Sequence, residues 1–258
     1  MDSQPRKNYK DINYRPFLFY VVFGTSGNDL EISASRHHVD SFPEGLTMRA
    51  LNRKENGAYI DGFFAGAVGG ILKEKDPELY EKCRTSEECV ILSGEVKDDS
   101  TFGYMRNAVG FLEALLEQGG IAVFDLMTFT LYSPENWKER FFEKEINAQN
   151  HVVILVSAEE GGYWLHTRGM AAFGRPDYSL HVSGSDPYEE CSEVLNQMIF
   201  YGGEGVFFDG KFRLHTRSGK AYRVDSCFVE DFDNDDFNNA YCEVSLAEEE
   251  ESVPEGNA

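Results

Sequence analysis

An α+β fold with a mixed sheet is what this sequence predicts, and three observations carry the prediction. Helix starts are marked three times by a capping residue followed by proline: Asp76 with Pro77, Ser133 with Pro134, and Asp186 with Pro187. Two amphipathic segments are each followed by paired glycines and a short apolar run ending in Phe-Asp. The other apolar runs come as strand-like pairs, without the strict strand–helix alternation of a parallel sheet.

The elements follow in order. Phe17 to Phe23 is aromatic and β-branched, which favours a strand. Gly62, Gly66 and Gly70 fall on one face of a helix expected from Asp61 to Lys75, where a second backbone can approach closely. Another helix starts at Pro77, and Val90 to Ser93 returns to a strand. From Thr101 to Gln118, Phe102, Met105, Val109, Leu112 and Leu116 recur at helical spacing behind a cap offered by Asp99 or Ser100. Gly119 and Gly120 end it, and Ile121 to Phe124 reads as a buried strand. Strands are expected at Val152 to Val156, Trp164 to Thr167 and Tyr178 to Ser183. A helix from Pro187 to Tyr201, with a capping box of Asp186 and Glu189, closes at Gly202 and Gly203 and leads to a strand at Val206 to Phe208. Asp209 and Gly210 suggest a type I′ hairpin turn, and Tyr222 to Phe228 and Tyr241 to Val244 complete the strands.

The landmarks Phe124, Asp125, Phe129 and Leu131 match Phe208, Asp209, Phe212 and Leu214 at near-constant spacing. The chain therefore reads as two β-α-β-β units, an internal duplication, with extra N-terminal helices. The first half, with the N-terminal strand and helices, covers 1–150, and the second covers 151–246. An acidic tail, 247–258, is expected to be disordered.

Composition narrows the function classes. In 258 residues the net charge is −21, and 225–258 hold 12 Asp and Glu with no Lys or Arg. Such a field repels phosphate backbones and anionic lipid, so neither nucleic acid nor a membrane surface is an expected partner. No apolar run approaches the ~20 residues of a membrane helix. Five cysteines at irregular spacings, with no Cys-x-x-Cys pair, fit reduced thiols in a cytoplasmic protein.

Several motifs fail on inspection. The glycines around Gly66 lack the dinucleotide spacing and the preceding strand, so no cofactor is expected. Ser218, Gly219 and Lys220 resemble the end of a phosphate loop, but Leu214 and Ala221 stand where glycine and a hydroxyl are needed. Asp231, Asp233 and Asp235 imitate a calcium loop, and Asp236 and Cys242 break it at the turn and at the closing ligand. His37 and His38 diverge, and His151, His181 and His215 show no ligand spacing, so no metal is expected.

One segment remains. His166, Arg168, Arg175 and Asp177, with Trp164 on the same strand face as His166, gather positive charge within an acidic chain. If the three basic groups converge at the strand end, they bind a carboxylate or phosphate, with His166 able to move a proton near neutral pH. The competing reading is structural: Asp177 pairs with one arginine, His166 donates to a backbone carbonyl, and Met170 and Phe173 plug the core.

The block His166-Thr167-Arg168-Gly169-Met170 with Phe173-Gly174-Arg175-Pro176-Asp177 resembles a family of uncharacterised bacterial proteins. Gly94, Glu95, Asp98, Tyr104, Gly110, Gly119, Gly120, Ala122, Val123, Asp125 and Trp137 are similar to that family's N-terminal half. The resemblance implies a bacterial cytosolic α+β protein and no reaction. Two functions stay open: a non-enzymatic binding or interaction module for a small anionic ligand or a protein partner, and a hydrolase or transferase using His166, Arg168 and Arg175 on a small anionic substrate.

Overall fold

The computed structural model describes residues 5–28, 30–97, 100–184, 186–234 and 236–248. The chain runs β1 (Phe17–Phe23), α1 (Ala34–His37), β2 (Thr47–Asn52), α2 (Arg53–Gly62), α3 (Gly66–Lys75), α4 (Pro77–Arg84), β3 (Glu88–Glu95), α5 (Gly103–Glu117), β4 (Ala122–Asp125) and β5 (Thr130–Tyr132). It continues through α6 (Pro134–Trp137), α7 (Ala148–His151), β6 (Val153–Glu159), β7 (Gly162–Arg168), β8 (Asp177–Ser183), α8 (Tyr188–Gly203), β9 (Gly210–His215), β10 (Ala221–Val229) and β11 (Tyr241–Glu248).

The protein is α+β, and its strands form two sheets of similar size, compatible with a duplication. The first, ordered β2-β3-β1-β4-β5, is antiparallel throughout. The second, ordered β6-β7-β8-β11-β10-β9, is the mixed one, because β11 lies parallel to β8 and antiparallel to β10. Alternation along β1 sends Leu18, Tyr20 and Val22 into a core shared with α5, the second sheet and α8. Val21 and Phe23 enter a separate core with Ile60, Phe63, Leu72 and Leu79 of the α2–α4 layer. The N-terminal helices thus form the second cover of the first sheet, and β1, hidden on both faces, is apolar throughout.

The halves share their element order but not their wiring. After α5 the chain enters β4 directly beside β1, whereas after α8 it runs to the edge strand β9 and returns through β10. Residues Val206 to Phe208, expected as a strand, form none; their carbonyls serve other groups, Phe208 O accepting from Ser226 Oγ at 3.0 Å. Gly210 opens β9 instead of turning a hairpin at Asp209, and the β9–β10 turn closes at Thr216 N to Lys220 O, 2.9 Å.

The glycine pairs are not equivalent either. Gly119 (φ +102) and Gly205 (φ +104) are the left-handed residues that end α5 and α8, each followed by the same backbone closure: Gly120 N to Leu115 O at 3.0 Å, and Val206 N to Tyr201 O at 2.9 Å. Gly202 and Gly203 lie inside α8, where Tyr178 and Ala148 pack on the bare backbone. The expected Asp61-to-Lys75 helix is broken at residues 63–65, and Gly62, Gly66 and Gly70 face open space; the close approach belongs to Gly69, against the Phe64 carbonyl. Gly202→Ala, whose methyl would sit 2.5 Å from Tyr178 Oη and 2.8 Å from Met170 Cε, should lose about 2 kcal/mol of stability. Gly70→Ala, with nothing nearby, should gain up to about 1 kcal/mol. Urea unfolding of the two variants checks both signs.

Capping held at two of the three proline starts. Asp76 Oδ1 accepts from Leu79 N at 2.9 Å and Ser133 Oγ from Asn136 N at 3.2 Å. At α8, Pro187 itself precedes the helix, and the Asp186 carboxylate turns back to Ser183 N at 3.0 Å, so no capping box forms. The start of α5 follows Phe102, whose side chain cannot cap; Thr101 Oγ1 accepts from Gly103 N at 3.2 Å. Ser100 is not the cap, and Asp99 lies outside the described residues.

Candidate functional site

The segment joining β7 to β8 lies where the two sheets meet. Gly169 (φ +116) takes the chain off β7 against the His151 carbonyl, a tight turn covers Met170 to Phe173, and Gly174 (φ +62) leads into Arg175 and β8. Met170 and Phe173 are fully buried, as the structural reading of the sequence expected.

The basic groups do not converge. Arg168, 2% exposed, lies 4.0 Å over the Phe129 ring, donating through Nε to Met127 O at 3.1 Å and through Nη1 to Asp236 O at 2.6 Å. Arg175, equally buried, donates to the carbonyls of Val206, Gly174, Lys10 and Gly205 at 2.6 to 3.2 Å. Each guanidinium thus clamps carbonyls from separate stretches of chain, and the two share none of these partners. Such bonds satisfy backbone acceptors that irregular, buried chain cannot pair for itself.

Asp177 is fully buried, and its carboxylate is held by hydrogen bonds from neutral groups. Thr167 Oγ1 donates to it at 2.8 Å, Met170 N at 3.2 Å and Asn239 Nδ2 at 2.9 Å. Burial pushes its pKa up to about 6, outweighing those bonds and the Arg168 charge. Asp125, at the end of β4, is also pushed to about 6, mainly by burial and against the pull of hydrogen bonds and Arg168. Arg168 therefore sits in the fields of three carboxylates: Asp177 of the second sheet, Asp236, and Asp125 of the first sheet.

His166 and Trp164 do share a face, with rings stacked at 3.9 Å and 23°. Trp164 also stacks on His181 at 5.6 Å, donates Nε1 to Ser179 Oγ at 3.0 Å, and meets Phe237 edge-on. His166 Nδ1 is buried and has no hydrogen-bond partner, which removes the expected bond from that nitrogen to a carbonyl; burial pushes the imidazole pKa down. The imidazole thus stacks on the Trp164 indole on one side and meets Phe237 edge-on at 5.7 Å.

On the far side of Gly174 a cleft of about 320 Å³ opens, lined by Tyr14, Arg15, Phe17, Glu95, Phe232 and Asn238 among others. Its size falls at the lower end for small-molecule sites. Arg15 and Glu95 are exposed on its rim, Phe232 is 55% exposed, and Tyr14 packs on Phe228 at 5.7 Å while donating to Glu230 at 3.0 Å. Three left-handed residues, Asn13 (φ 63), Gly174 (φ 62) and Asn238 (φ 52), border the space. Backbone held in this sparsely populated region concentrates at binding sites. Of the segment singled out in the sequence, only Ala171, Gly174 and Arg175 reach it. The other lining residues come from 13–17, from Glu95 and from 232–239, stretches far apart in sequence that carry no local motif.

No protein family, no curated protein and no solved structure matches this chain. Among the described residues no group of three or more His, Cys, Asp or Glu is arranged to hold a metal ion, and no helix is long and apolar enough to cross a membrane.

Proposed function

We propose that this chain is a non-enzymatic binding module that takes a small anionic ligand in the cleft beside Gly174. What supports this reading is one juxtaposition: an exposed guanidinium, Arg15, beside the aromatic walls of Tyr14, Phe17 and Phe232 in a concave site bordered by Asn13 and Asn238. A guanidinium binds a carboxylate or phosphate in two parallel hydrogen bonds, and aromatic walls hold a flat or apolar body. Glu95 on the same rim favours a ligand that also bears a cationic or donor group, as an amino acid does. A protein partner offering an acidic side chain is the other occupant consistent with the chemistry. The hydrolase or transferase reading draws less support, because Arg168 and Arg175 bond to different parts of the chain and His166 Nδ1 is buried with no hydrogen-bond partner. The bacterial, cytoplasmic setting belongs to the same proposal and rests on the family resemblance and the cysteine pattern.

A thermal-shift screen of amino acids and of carboxylated and phosphorylated small molecules tests it. A true ligand at 100 times its dissociation constant adds about 2.7 kcal/mol of stability. The shift should vanish in Arg15→Ala while the unliganded melting temperature stays unchanged. A shift that survives this substitution places the site elsewhere, and no shift with any compound removes the small-ligand reading.

A further inference from the structure

Among the described residues the second sheet ends at β6, whose one sheet neighbour there is β7, in unbroken register from Val153 opposite Arg168 to Glu159 opposite Gly162. Alternate N–H and C=O groups of its other edge therefore point outward. Outer strands that stay single are guarded by charge, proline, a bulge or short length. The other three obey: β2 carries Arg49, β9 carries Lys211 and Arg213, and β5 is only Thr130 to Tyr132. In β6, Val153 to Ala158 reads Val-Ile-Leu-Val-Ser-Ala; its one charge, Glu159, stands at the last position of the strand and turns to His181 Nδ1 at 2.8 Å, and Val156 is 50% exposed.

We infer that β6 is a self-association edge, and that its occupant is β6 of a second copy, antiparallel about a two-fold axis through Val156. In that register Val156 faces its own copy, Leu155 faces Ser157, Ile154 faces Ala158, and Val153 faces Glu159. Charge selects this direction. The acidic end of the strand, Glu159 with exposed Glu160, arrives at the partner strand's beginning, where exposed Arg140 donates to Asn150 O at 2.9 Å. A parallel arrangement would bring the acidic ends together instead. The pairing joins two six-stranded sheets into one and is closed by its symmetry, so it stops at a dimer.

A single strand pair is a small interface, so the dimer should dissociate in the micromolar range. Sedimentation equilibrium of the full chain from about 1 to 200 µM should show a monomer–dimer equilibrium across this range. Val156→Lys and, independently, Ser157→Lys place a charge on the exposed half of the strand; both should sediment as monomers with unchanged circular dichroism. Glu160→Arg should weaken association about tenfold, and adding Arg140→Glu should recover most of it. Wild type that stays monomeric at the highest concentration overturns the proposal. So does a dimer that either lysine variant leaves intact, since its interface then lies elsewhere.

Discussion

Arg168→Ala should lower the unfolding free energy by roughly 3 to 5 kcal/mol, the usual cost of deleting one member of a buried charged network. The guanidinium fills space against Phe129, satisfies the carbonyls of Met127 and Asp236, and stands as the cation in the fields of Asp177, Asp236 and Asp125. Truncation removes all three contributions together. Arg168→Lys keeps the charge but loses the planar stack and the forked donors, so it should lose less, about 2 kcal/mol. Urea denaturation at pH 7.5 reads both. A loss below about 1 kcal/mol for alanine would mean that the side chain does not act as a joint between the sheets.

Acidification should act on the fold through two oppositely signed sets of groups. His151 is packed against Phe141 at 4.6 Å, and burial, assisted by the charges of Arg140 and Arg106, pushes its pKa down to about 3. Its folded value lies below the unfolded 6.5, so the stability it contributes is complete above pH 6.5 and is lost as pH falls towards 3. Asp125 and Asp177 are displaced the other way, from 3.8 to about 6, so their contribution is complete below pH 3.8 and is lost as pH rises through 6. Comparing each variant with wild type separates the two. Below pH 6.5 the wild type should lose ground to His151→Phe by up to about 1.4 kcal/mol per pH unit. Between pH 6 and 4 it should gain on Asp177→Asn by a similar slope. Unfolding free energies at pH 7, 5.5 and 4.5 decide the matter; parallel curves would show that these groups are not buried in the ionisation states assigned.

The fold was legible wherever a local pattern carries the information. Helical spacing in α5 and α8, the caps at Asp76 and Ser133, and the aromatic run of β1 each depend on residues within a few positions of one another. Nothing local distinguishes one sheet from two. That choice depends on β1 entering between β3 and β4, and on β11 entering between β8 and β10. The glycine pairs misled for a related reason. Two glycines after an apolar helix look alike in sequence, yet Gly119 is a left-handed terminator while Gly202 gives room to Tyr178, a neighbour remote along the chain. In the candidate segment, residue types indicated charge and burial but not direction. Arg168 and Arg175 are seven positions apart with a two-glycine turn between them, and their partners, Met127, Asp236, Lys10 and Gly205, come from four other places. Asn239, which holds both Asp177 and the Arg175 carbonyl, carried no signal at all.

The place of β11 governs how the second sheet can be assembled during synthesis. Until residues 241–248 have left the ribosome, β8 and β10 have no strand between them, and each presents a raw edge with its apolar side chains set for a core. Half of this sheet therefore waits for one late segment. A nascent chain stalled before Tyr241 carries two sticky borders, which makes it a natural client for chaperones.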